Sequence, residues 1–361
     1  MTIRSTKRVG IRAGHKSNNR QQGAPTIADV AAYVGFAPMT VSRVINGEKN
    51  VRPETREAVL AAIAKLKYLP NLAARTLAGA EQVRIGLLYS NPSAAYLSEF
   101  LVGSLEQARL SHVQLVVDKC DAKQHEEEVV RELLASGVDG VILPPPLCDS
   151  KRIHAVLMKA GAPAIAVASG SPRAGLLAVR IDDHAAAAAM TRHILSLGHT
   201  RIGFIMGNPD QTASAQRFAG YKHALSEAGI AIDKSLVRRG LFTYRSGLKA
   251  AEQLLSLAKP PTAIFASNDD MGAATVAVAH RYHLDVPKDL TVCGFDDTDF
   301  SRSIWPELTT IHQPIADMSR AAVLLLVRKI RARRAGKDEE CKHALLDFTL
   351  VRRNSDAAPR H

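Results

Sequence analysis

Cysteine is scarce in this chain of 361 residues: Cys120, Cys148, Cys293 and Cys341 are the whole supply, far apart and without a C-x-x-C pair. That spacing excludes a disulfide framework and a thiolate zinc site, and it predicts a reducing cytoplasm. No stretch approaches the ~18 consecutive apolar residues of a membrane span. The basic N-terminus (Arg4, Lys7, Arg8, Arg12, Lys16, Arg20) has no apolar core behind it, so it does not read as a signal peptide. Catalytic signatures are missing as well: there is no G-x-S-x-G elbow, no P-loop and no H-E-x-x-H. His280 and His283 share a helix face, but a solvated helix end explains them better than a metal-ligand pair. The chain is therefore expected to be no enzyme, to carry no cofactor or metal, and to have no membrane partner.

What is present is unevenly placed. Residues 1–79 hold 13 Lys/Arg against 4 Asp/Glu, whereas the rest of the chain holds 34 against 31. The basic excess points to a polyanion that meets the N-terminal end. Residues 1–24 have no acidic residue and no hydrophobic period, and are expected to be a disordered basic tail.

Residues 26–46 read as two short helices joined by a sharp turn. Ala31 is small enough to let the helices approach. Gly35, four residues on, supplies a left-handed turn residue, and Val41 locks the crossing. Val30, Val34, Phe36 and Val44 complete an apolar face at helical spacing. Thr26 and Asp29 form a capping box for the first helix. Pro38, Met39, Thr40, Ser42 and Arg43 are left on the outer side of the second, the side that enters the DNA major groove in a helix-turn-helix. A third helix starts near Pro53 and carries Val59, Leu60, Ile63 and Leu66 on one side. This unit, 25–67, buries little and is expected to be marginal alone. Residues 68–80 then form a linker whose segment 72–78 has helix propensity but is too short to hold a helix unaided.

From about residue 82 the pattern alternates. Strand-like runs at 83–90, 113–118, 138–143, 163–168, 201–206, 262–267 and 290–295 are separated by amphipathic runs such as 93–110, 184–198 and 213–229. The alternation predicts an α/β fold, with doubly wound parallel sheets covered by helices on both faces and split into two half-domains around a cleft.

The segments TIADVAAYVGFAPMTVSRVING, VRPETREAVLAAIAKLKYLPNLAARTLAG, LGHTRIGFIMG, QRFAGYKHAL, ASNDDMGAA, VCGFDDTDFSRSIWPELTTIHQP and LVRRNS closely resemble the lactose/galactose repressor (LacI/GalR) family of bacterial transcription regulators. The match runs over about residues 25–355 in the family's order. The resemblance implies a ligand-responsive dimer with an all-α headpiece, a hinge helix and a core of periplasmic-binding-protein type, at 81–355. The chain would cross between subdomains near 197, 310 and 340. Subdomain one would take about 82–197 and 313–337, and subdomain two about 198–310 and 340–355. The last ten residues carry no leucine heptads, which favours a homodimer over a tetramer. The family setting also implies a bacterial, cytoplasmic, nucleoid-associated protein.

The resemblance assigns roles residue by residue. Positions 38 and 39 would set operator specificity, and both are apolar here. Arg43 is the best bidentate guanine reader. Thr40, Ser42 and Asn46 would grip phosphates and fix register, and Thr26 at the start of the first helix is counted with the DNA-binding residues. Ala37 stands where the family usually has a capping Ser or Thr. On operator DNA, 71–78 would fold into the hinge helix, capped by the DNA-binding residue Asn71, with Ala74 and Arg75 along the minor groove and Leu77 wedged between base pairs.

The effector cleft would take Asn91, Tyr96, Asp182, Arg217, Phe242, Asn268, Asp269 and Asp296. Carboxylates and an arginine hydrogen-bond adjacent hydroxyls and an aromatic face covers a ring, which suits a sugar. Tyr96 and Phe242 read nearly as well as core packing. The purine-responsive branch would use an arginine and a threonine where Gln211 and Ala213 stand, a departure that favours a sugar and leaves a purine or other metabolite as the alternative effector. The GFDD match makes Asp296, Asp297 and Asp299 a cleft edge and not a metal site. A sugar-binding or sugar-processing protein is the rival outside regulation.

Overall fold

The computed structural model describes residues 25–45, 51–68, 82–120, 125–337 and 343–360. The chain divides into two compact units, Met1–Glu81 and Gln82–His361.

The first unit is helical: α1 Ile27–Val34, α2 Pro38–Ile45 and α3 Pro53–Lys65. Thr26 caps α1 through the expected capping box. Its backbone N–H donates to Asp29 Oδ2 at 2.7 Å, and its Oγ1 accepts from the Asp29 N–H at 3.3 Å. Gly35 ends α1 at φ +73° and its N–H returns to the Ala31 carbonyl. That backbone favours glycine. Val30, Ala31, Val41, Val44, Val59, Ala62 and Tyr68 form the core. Two residues expected inside are not: Phe36 is 36% exposed and Leu60 51%. Phe36 lies past the Gly35 cap, where the chain has already turned away. Leu60 points outward, and Ala62 takes the interior position.

The second unit holds two parallel sheets. The first has the order β11-β5-β4-β3-β1-β2, from β1 Arg84–Tyr89, β2 Gln114–Lys119, β3 Gly140–Leu143, β4 Ala164–Val167, β5 Leu177–Arg180 and β11 His343–Leu345. Helices α4 Ala94–Ser111 and α12 Ile315–Arg334 pack together on one face, and α5 Glu126–Ala135 with α6 Lys151–Ala160 on the other. The second sheet has the order β7-β6-β8-β9, from β6 Ile202–Met206, β7 Val237–Arg239, β8 Ala263–Ala266 and β9 Thr291–Cys293. It lies between the pair α7 Asp183–Ser196 and α8 Thr212–Glu227 and the pair α9 Tyr244–Leu255 and α10 Asp269–Arg281. A short α11, Asp299–Arg302, follows β9, and β10 Thr310–His312 pairs antiparallel with β12 Thr349–Val351. The strand cores are almost wholly apolar, as sheets covered on both faces require.

The crossings differ from those expected. Helix α7 packs on α8 and touches β10 and β12, so the chain leaves the first sheet's layers between β5 and α7 and not near 197. The alanine run Ala185–Ala189 allows that close helix–helix packing, a signal that strand spacing alone does not carry. Strand β11 pairs with β5 of the first sheet, so the last crossing falls between Leu345 and Thr349 and not near 340.

Candidate DNA-reading face and effector pocket

Helix α2 presents Pro38, Met39 and Arg43 outward, with Met39 66% exposed, while Thr40 and Ser42 are half-buried. Its first turn has no side-chain acceptor at Ala37, whose carbonyl takes the Thr40 and Val41 amides. Thr26 is exposed and engaged with Asp29. Asn46, Asn71, Ala74, Arg75 and Leu77 lie outside the described residues, as do residues 1–24.

In the second unit, loops at the carboxyl ends of the strands converge where each sheet reverses its order, between β1 and β3 and between β6 and β8. Open α/β sheets bind ligands there. The convergence lines a half-open pocket with a free volume of about 30 Å³. Asn91, Ser93 and Tyr96 follow β1, Gln211 and Arg217 follow β6, Asn268 follows β8, and Asp296 follows β9. Ala168, Phe242 and Asp296, all in its lining, have left-handed backbones at φ +54°, +59° and +111°. Such strain in non-glycine residues concentrates at functional sites. Gly207 leaves room for the Phe242 ring: a Cβ there would sit 1.9 Å from its Cζ.

Arg217 organises the floor. Its Nε donates to Asp183 Oδ1 at 2.8 Å, and its Nη1 donates to the Ser267 carbonyl and to Asp296 Oδ1 at 3.4 Å. The guanidinium stacks on Phe295, 3.6 Å from the ring centroid, and lies 5.6 Å from that of Phe242. Gln313 Nε2 donates to Asp296 Oδ1 at 2.8 Å. Burial pushes the Asp183 and Asp296 carboxyls up, and Arg217 opposes it in both. Two buried polar atoms of lining residues, the Tyr96 hydroxyl and Gln313 Oε1, have no partner.

Hydrogen bonds cross between the two sheets' loops on either side of the pocket. Ser93 Oγ donates to Asp270 Oδ2 at 2.7 Å. The Thr212 amide and hydroxyl donate to Asp149 at 2.8 and 2.9 Å, and Ser169 Oγ donates to the same carboxylate at 2.7 Å. Among the described residues no group of His, Cys, Asp and Glu could hold a metal ion, and no helix is long and apolar enough to cross a membrane.

Residues 26–71 match the family model of bacterial regulatory proteins of the lacI family, and residues 191–355 match a periplasmic binding protein-like domain. The HTH-type transcriptional regulator CelR of Thermobifida fusca is 34% identical over 338 residues, 92% of this chain and 98% of that one. The chain belongs to the lacI family. A solved complex of the transcriptional regulator CelR with cellobiose matches at a TM-score of 0.70 and 32% identity, over 92% of this chain and 99% of the other. The lac repressor dimer bound to operator and the anti-inducer ONPF matches at 0.72 and 29%, over 93% and 100%. The chain is thus a DNA-binding transcription regulator and not an enzyme.

Within this lacI-family pocket, six of the eight expected effector residues come together: Asn91, Tyr96, Arg217, Phe242, Asn268 and Asp296. Two do not. Asp182 caps α7, accepting from the Ala185 amide at 2.9 Å, and its neighbour Asp183 meets Arg217 instead. Asp269 is fully buried behind the pocket, where it accepts from Thr310 Oγ1 at 2.6 Å and the Thr298 amide at 2.8 Å. Burial raises its pKa to about 7 against those hydrogen bonds. The neighbours of Asp182 and Asp269, Asp183 and Asp270, are not in the pocket lining either, but accept from the lining residues Arg217 and Ser93. Ser93 and Gln313 were missed. The segment TTIHQP holds Gln313, and its place at the second crossing was the available signal.

Proposed function

We propose that this protein is a homodimeric repressor of carbohydrate-utilisation genes, and that a sugar bound in the pocket of the second unit sets its operator affinity. The observation that carries the sugar reading is the pair of unpartnered buried atoms on Tyr96 and Gln313. Each costs about 1–3 kcal/mol until a ligand or water completes it. Asp296, Asn268 and Arg217 would hold ring hydroxyls, and Phe242 would cover one face of the ring. The cellobiose-bound relative supports the same ligand class. Val102, Leu105 and Leu110 on α4 and Val117 on edge strand β2 are 42–60% exposed, and this apolar patch supports a second copy as partner. The protein would act in the cytoplasm, on the nucleoid.

On DNA, Met39 and Pro38 would make apolar contacts, Arg43 would read guanine, and Thr26, Thr40, Ser42 and Asn46 would hold phosphates. Asn71, Ala74 and Arg75 would line the minor groove and Leu77 would wedge into it. Ligand binding would shift the cross-cleft geometry and with it the hinge. A thermal-shift screen of sugars, followed by operator binding with each hit, tests this. A hit that stabilises the protein and changes operator affinity is expected; one that leaves DNA binding untouched refutes control by that pocket. Leu77→Ala should lower specific operator affinity about tenfold or more while sparing salt-dependent non-specific binding. Equal loss of both would remove the wedge.

A further inference from the structure

Five helices of the second unit supply their own N-terminal cap: Ser93, Ser150, Asp182, Thr243 and Asn268 accept from amides of α4, α6, α7, α9 and α10. Helix α8 does not, because Gln211 precedes it and makes no side-chain cap. The first amides of a helix have no partner within it. At α8 the partner comes from across the cleft, where the Thr212 N–H donates to Asp149 Oδ2 at 2.8 Å. Asp149 lies in the turn that follows β3 of the first sheet, whereas α8 follows β6 of the second. We propose that Asp149 is a latch between the lobes built on the two sheets: a carboxylate of one lobe completes a helix of the other, so parting the lobes uncaps α8.

The hydrogen bonds converge on that role. Thr212 Oγ1 donates to the Asp149 carboxylate at 2.9 Å and Ser169 Oγ at 2.7 Å, while the Ser171 amide donates to Thr212 Oγ1 at 3.1 Å. Ser169 and Ser171 follow β4, so two loops of the first lobe close on one residue of the second. The positive end of the α8 dipole favours an anion at this place.

Gly170, between the two serines, shows how closely the loop must approach. A Cβ there would sit 2.8 Å from the Thr212 carbonyl carbon and oxygen and from the Ala213 nitrogen. These are backbone atoms, which cannot swing aside as a side chain would. The Gly170 backbone is not left-handed, so glycine is required here for space alone.

The latch acts where a signal would start. Arg217, the centre of the pocket floor, sits in the second turn of the same helix. Uncapping loosens the first turn, which leads into it. On the other side of the pocket the lobes meet again at Ser93 and Asp270. That second contact senses opening without touching Asp149.

Hydrogen exchange read by mass spectrometry on the full chain tests this with Asp149→Ala, Asp149→Asn and Gly170→Ala. The first removes the cap. Gly170→Ala leaves Asp149 and Thr212 intact and wedges the loop off α8. Both should speed exchange about fivefold or more at 211–216 and, across the pocket, at 92–97 and 268–272, while the amides of β1 and β8 stay protected. Asp149→Asn keeps an oxygen that can accept from the Thr212 amide and should retain most of the protection. Acceleration confined to 211–216 in either alanine variant makes the cap a local one and overturns the latch. No acceleration overturns it as well, and so does acceleration that reaches β1 and β8, which makes these residues part of general stability. An asparagine as disruptive as the alanine overturns the cap itself. The latch needs no assumption about what the pocket binds, so its failure and that of the sugar reading are separate results.

Discussion

The two units place their functional side chains in opposite settings. In the helical unit, Val30 and Val41 are fully buried and hold the fold, while Met39, the proposed operator reader, stands 66% exposed. The buried Val41 and the exposed Met39 stand on different faces of the same helix, so recognition through Met39 would leave the core untouched. In the sheet unit, Arg217, Asp183 and Asp296 are 4%, 2% and 6% exposed. There the atoms that would meet a ligand also hold the second sheet's loops together. Operator specificity can therefore drift through surface substitutions at little cost in stability, whereas a change of effector must also repair a buried charge network.

Arg217→Met puts that contrast under the greatest strain. It leaves Asp183 and Asp296 buried without their cation and should cost about 3–5 kcal/mol at neutral pH by denaturant unfolding. Both carboxyls are already raised by burial and lose the group that opposes the rise. Their ionised forms are then the destabilising ones, so the deficit should shrink as the pH falls and the carboxyls take protons. A loss below about 1 kcal/mol would break the contrast.

A smaller effect belongs to Asp297. Burial would raise its pKa, but hydrogen bonds from His312 and Arg353 hold it down at about 2, from 3.8. Its contribution, about 2 kcal/mol, is in place above pH 4 and lost as the pH falls through 2. His312 is raised by the same contact, so its share is present below pH 6.5 and fades above its own raised value. Asp297→Asn should flatten the acid limb of the unfolding curve; an unchanged limb would place the anchor elsewhere.

Ala37→Ser gives the smallest effect. A serine at the start of α2 should add about 1 kcal/mol to the helical unit. Slower hydrogen exchange of the α2 amides in the full chain, with the core amides unchanged, is the expected readout. Slowing in both units would mean that they unfold together.

Much of this was legible in the residues. The small-residue, glycine and valine spacing at 31, 35 and 41 located the helix-turn-helix because steric fit leaves few alternatives. All seven apolar strand runs fall on strands β1–β4, β6, β8 and β9; a strand buried on both faces must be continuously apolar, and only the edge strand β2 among them is largely exposed. Strand β7 was not legible: Val237–Arg239 is short, lies at an edge and carries two arginines. Strand β11 was hidden for the same reason, being exposed at a sheet edge. In the pocket, Arg217 and Phe242 were named through the family resemblance, Phe242 with core packing nearly as good a reading. Ser93 and Gln313 were not, because a serine or glutamine becomes functional only through the place to which the fold carries it.

The three crossings give the two units unequal fates under recombination. The helical unit is one continuous stretch of chain, so a single splice can hand it to another core and redirect the same signal to new genes. Each sheet layer of the core is stitched from two separated stretches, and β11 returns to the first sheet after α12 has closed it. A single splice within 182–313 would strand half a lobe. New operators can thus be acquired whole, while new effectors must be acquired one substitution at a time.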